Sequence, residues 1–86
     1  MPNPFTLSRH AAIGLAERAI DIAWVIATLD NLTWTEPDAH DPELRHALRR
    51  IDAFGGRVLR VVYNPSVTPW HVVTVFFDRK ASRRLP

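Results

Sequence analysis

The second half of the chain carries the residues with most chemistry to offer: Arg45, Arg49, Arg50, Arg57, Arg60, Arg79, Lys80, Arg83 and Arg84. Eight of these nine cations are arginine, whose planar fork of donors matches a phosphate group. Only Asp52 and Asp78 oppose them, so residues 44–86 carry a net +7. Residues 1–43 hold Arg9 and Arg18 against seven carboxylates, a net −5, and the 86 residues together sit at +2. Such an asymmetry suggests either an anionic partner for the basic half or two halves that pair internally.

Other chemistries find less support. Asp38, His40, Asp41 and His46 could be drawn as a metal site, but they match no ligand spacing, and no metal is expected. With no cysteine there is neither a disulfide framework nor a thiolate ligand. Gly55-Gly56 is a turn rather than a phosphate-cradling loop. Ser8 and Ser66 lack a nucleophile-elbow context. Trp34 and Trp70 could stack on bases, although a tryptophan beside Pro69 is more often simply packed. No cofactor is expected.

The elements that must position these residues centre on Gly55–Arg79. Two runs rich in Val, Phe and Tyr, Arg57–Asn64 and His71–Asp78, read as strands joined by a loop over Pro65–His71. Alternation places Leu59, Val61 and Tyr63 on one face, matched by Val73, Val75 and Phe77. These uniform faces should lie under helices. Arg60, Thr74 and Asp78 then share the other face, which is either a nucleic-acid or partner surface or the ordinary outer face of a two-layer domain.

Upstream, Ser8 can cap a helix over Arg9–Arg18 whose apolar side is Ala12, Ile13 and Ala16. Asp21 can cap a second, Ile22–Leu29, with Ile22, Val25, Ile26 and Leu29 as its core-facing stripe and Asn31 as its stop. Thr33–Thr35 suits a short strand, and Glu36–Pro42 an exposed acidic turn. Glu43–Phe54 has helical spacing at Leu44, Ala47, Leu48 and Ile51, yet the glycine pair that follows signals a hairpin that would pair 45–53 with Arg57–Asn64. One domain is expected over 1–86, with 1–7 a lead-in and the basic tail 81–86 fraying. MPNPFTLSRH is not a signal peptide, and Ala19–Leu29 is too short for a bilayer, which needs about 20 residues. A cytoplasmic protein without membrane contact is the expectation.

His10-Ala11, then Glu17-Arg18-Ala19-Ile20, GGRVLRVVYN and VVTVFFDRK follow one another in an order that resembles domain-of-unknown-function family 4258. Those small bacterial proteins run His-Ala, a spaced Arg, Glu-Arg-Gly-Ile, Leu-x-Val-Val and a final Val-Thr strand ending in Arg. The resemblance covers Ser8 to Lys80. That family is similar in turn to RelE/ParE and BrnT-like toxins of toxin–antitoxin systems, several of which cut RNA without a metal.

The resemblance implies an α+β fold, with two N-terminal helices on one face of a three- to four-stranded antiparallel sheet, and places a strand at 45–53. It implies a metal-independent endoribonuclease acting on RNA, such as ribosome-associated mRNA, with a cognate antitoxin as partner. Such chemistry needs a base for the 2′-hydroxyl, cations for the developing charge and a proton donor. By resemblance these are His10 as base, with Arg18, Thr74, Arg79 and Lys80. Arg60, from strand alternation, and Arg83 and Arg84 in the basic tail are the candidate RNA-binding cations. Two positions depart from the pattern: Gly14 stands where the family has its spaced Arg, and Ala19 where it has Gly. The alternative is therefore a protein-interaction or nucleic-acid-binding module that kept the fold without the chemistry.

Overall fold

Ser8 sets the entry of the chain. In the computed structural model, which describes residues 4–84, its hydroxyl accepts from Ala11 N (2.9 Å) and donates to Val73 O (2.7 Å). One side chain thus caps helix α1 (Arg9–Glu17) and ties it to the sheet. The residues just before it form β1 (Phe5–Leu7), which pairs parallel with β5 (Trp70–Phe77). Phe5–Leu7 is therefore a strand and not a loose lead-in; residues 1–3 lie outside the described ones.

Asp21 caps α2 (Ile22–Asp30) through Ala23 N, and Asn31 ends it. Then come β2 (Thr35–Pro37), β3 (Arg45–Ile51), a single 3-10 turn (Asp52–Phe54), β4 (Arg57–Asn64), β5 and α3 (Arg79–Arg84). The sheet order is β1-β5-β4-β3-β2, antiparallel except for β1. The α+β class holds, but the sheet has five strands and is mixed, and a third helix takes up residues 81–84 of the expected fraying tail, 85–86 lying outside the described residues.

α1 and α2 share one core with the sheet: Ala11, Val25, Leu29, Ala47, Ile51, Leu59, Val61, Tyr63, Val72 and Val75. The expected helix faces are rotated. α1 meets β5 through Ala11 and Gly14, the small residues that allow close approach, leaving Ala12, Ile13 and Ala16 outward. α2 buries Val25, Thr28 and Leu29, while Ile22 and Ile26 stay 42% and 38% exposed. Thr28 fits that face because its hydroxyl donates to Trp24 O (2.7 Å).

Leu48, Val58 and Ala81 form a smaller cluster on the opposite face, with Trp34 against it. β3 is thus covered on both sides. That explains its helix-like spacing, since a strand buried on both faces need not alternate. A register shift at Val62/Tyr63 pairs Tyr63 with Val72 and Val62 with Thr74, leaving Val73 as the extra residue. Val72, and not Val73, consequently joins Val75 and Phe77 on the helix face. β2 lies two residues later than Thr33–Thr35, an edge strand that tolerates Pro37. No helix among the described residues is long and apolar enough to cross a membrane.

Candidate functional site

At the end of the sheet where β4 begins and β5 finishes, an open cleft of about 580 Å³ collects four arginines from three parts of the chain. Arg18 comes from the end of α1, Arg57 from the first position of β4, and Arg79 and Arg83 from α3; Phe54, Phe76, Phe77, Asp78 and Ser82 complete the lining. Gly55 and Gly56, at φ 67° and 72°, make the left-handed turn that delivers Arg57. Its guanidinium lies 4.8 Å from the Phe54 ring centroid. Phe54 in turn stacks on Phe77 at 4.9 Å, and Trp24 packs against both.

Asp78 directs the other two cations. Its Oδ1 accepts from Ala81 N (2.9 Å), starting α3, and Ser82 binds back to both Asp78 O and Val58 N. Arg79 and Arg83, one turn apart, then share a side of that helix. Asp78 is the one carboxylate of the lining, and it is already engaged: Arg60 Nε donates to its Oδ2 at 2.8 Å. Among the described residues no ion pair is made by Arg18, Arg57, Arg79 or Arg83. Four like charges converge with no ion-paired carboxylate among the described residues, an arrangement that favours an anion in the cleft.

Arg60 has a different fate from the one alternation suggests. It is only 8% exposed. Besides Asp78 it reaches Glu36 Oε1 (3.2 Å) and His46 Nδ1 (2.8 Å). Guanidinium can only donate, so Nδ1 accepts and Nε2 donates to Asp38 Oδ1 at 2.7 Å. This chain of partners closes over the sheet face expected to be open. The His46 hydrogen bond, followed by those from Asp41 N and His40 N, holds the Asp38 carboxyl down at about 2. The Ala81 N–H, then Arg60, lowers Asp78 against the opposing effect of burial. Asp38 and His46, residues that could be drawn as metal ligands from sequence, are thus committed to this network.

Of the other sequence candidates, Arg18, Arg79 and Arg83 meet in the cleft. His10 is exposed in the first turn of α1, Thr74 sits opposite Val62, and Lys80 is exposed on α3; none lines the cleft. Arg84 lies 5.6 Å over Trp34 and 3.7 Å from Glu36. Trp70 stacks on Tyr63 at 5.1 Å, so both candidate stacking tryptophans are packed. Sequence reasoning missed Arg57, Phe54 and Phe76. The glycine pair before Arg57 was the available signal, because such a turn exposes the residue that opens the next strand.

The fold and this cleft define a small α+β protein with an arginine-rich cleft at one end of its sheet. The chain belongs to the family described as Domain of unknown function (DUF4258), whose model matches residues 7–77. No curated protein and no solved structure matches it significantly.

Proposed function

We propose that this domain binds single-stranded RNA through the arginine cleft. The observation that carries the reading is the convergence of Arg18, Arg57, Arg79 and Arg83 without a carboxylate partner among the described residues. RNA supplies phosphates at a spacing that several arginines can share, and the counterions released make affinity salt-dependent. With four phosphates neutralised, log K should fall against log salt with a slope of roughly −3, and each Arg→Ala change should remove about 0.7 of it. Anisotropy titrations of labelled RNA across salt concentrations test this; a flat salt response rejects it.

A second reading is a RelE-type toxin, a metal-independent endoribonuclease held in check by an acidic antitoxin over the same basic end. What favours it is that Arg18 and Arg79, two of the residues the resemblance marks for cleavage, share the cleft. His10 lies outside the lining, so cleavage requires RNA to extend from the cleft along α1. Incubation with RNA in chelator, alongside His10→Ala and Arg79→Ala, separates the readings: binding without cleavage leaves the first and removes the second.

A further inference from the structure

The cleft has an aromatic wall as well as cations. Of its three phenylalanines, Phe54 and Phe77 stack on each other and on Trp24. Phe76 makes no ring contact among the described residues. It stands half-buried on the other sheet face from Phe77, level with Arg60 on β4. The Arg60 guanidinium itself is committed to Asp78, Glu36 and His46. On the outer side, the pairing of β1 with β5 ends at Leu7, opposite Val72. Phe76 lines the cleft beyond the end of the described β1–β5 pairing, together with Arg57, Arg79 and Arg83.

We propose that Phe76 stacks an unpaired nucleobase while Arg57, Arg79 and Arg83 hold the flanking phosphates. This rests on the RNA-binding reading and deepens it: the ligand is recognised as a nucleotide and not by backbone charge alone. The cleft volume lies within the range of about 300–1,000 Å³ typical of small-ligand sites, which suits one inserted nucleotide better than a run of them. Stacking on an aromatic side chain tolerates any base, because every base has a π-face.

Three probes of equal phosphate number decide the matter: a 2′-O-methyl oligonucleotide, which cannot be cut at the 2′ position, its abasic counterpart, and inorganic polyphosphate. Wild type should prefer the base-bearing oligomer. Phe76→Leu keeps the apolar volume and removes the ring, and should weaken that oligomer roughly five- to hundredfold. The two baseless probes should be unaffected, and Phe76→Tyr should restore the preference. Arg57→Ala should weaken all three probes. Equal binding of base-bearing and abasic oligomers by wild type overturns the stacking proposal while leaving the anion site intact. A Phe76→Leu variant that weakens every probe alike overturns it in the same way. If no probe binds, the RNA-binding reading fails and takes this one with it. Should Phe76→Leu not fold, the wild-type comparison alone still decides.

Discussion

The guanidinium of Arg18 lies folded back over Gly14, so close that a β-carbon at position 14 would come within 2.5 Å of Nη1. The other near neighbour, Val75 O at 3.6 Å, leaves ordinary room. Position 14 is where the resembling pattern carries an arginine. Here the space is filled from one turn further along α1, and Arg18 still lines the cleft.

Gly14→Ala should therefore separate stability from binding. Alanine improves the helix interior by about 0.5–1 kcal/mol. The only clash is with the far end of a flexible, exposed side chain, which can swing aside at small cost. Thermal unfolding should shift upward while RNA affinity falls a fewfold, because Arg18 loses its place. A lower melting temperature would show that the arginine cannot move freely.

Ala19 invites the opposite kind of change. It sits at φ 52°, just past the end of α1. Ile20 N donates to Leu15 O (2.9 Å) and Ala19 N to Ala16 O (3.5 Å), the double closure of a left-handed helix stop. A β-carbon is unfavourable there, so Ala19→Gly should stabilise the domain by about 1 kcal/mol, or roughly 4–8 °C in Tm. An unchanged or lowered Tm in calorimetry contradicts this account.

These two positions also show what the sequence makes legible. Caps at Ser8 and Asp21, the β4 strand and its apolar face follow from local chemistry, and they appear as expected. Features set by distant pairing do not. The bulge at Val73 exchanges the faces of its neighbours, and β1 exists only because β5 offers an edge sixty-odd residues away. Arg18 and Arg79 stand out separately in the sequence, and the glycine turn marks Arg57 as exposed without saying that it joins them. Arg60 looks like an exposed cation because its partners Glu36, His46 and Asp78 come from β2, β3 and the residue after β5.

Asp78 should be the most sensitive of those partners. It starts α3 through Ala81 N and holds Arg60 Nε, and both sites are largely shielded from water. Asp78→Ala removes a cap worth about 1 kcal/mol and leaves a buried guanidinium short of its nearest charge, a loss of roughly 2–4 kcal/mol in all. Because α3 carries Arg79 and Arg83, RNA binding should weaken with it. Glu36→Ala, whose carboxylate is 31% exposed, should cost less than about 1 kcal/mol. Urea midpoints of the two variants check the ranking, and equal losses would remove Asp78 from its central role.

Acid should act through the same network. The Asp38 carboxyl titrates near 2 in the folded chain against an ordinary 3.8, chiefly because His46 Nε2 donates to it, and Asp78 is lowered as well. A carboxylate held below its unfolded value stabilises the fold above that value and loses the contribution as pH falls through the folded one. Stability should thus be retained above about pH 4 and decline between about pH 4 and 2. Asp38→Asn keeps the side-chain shape and removes the titrating proton. Its stability deficit should be largest near neutrality and shrink towards nothing at the acid end. Denaturant midpoints measured across that range provide the check. Parallel pH curves for the variant and the wild type would mean that the Asp38–His46 contact contributes nothing to acid sensitivity.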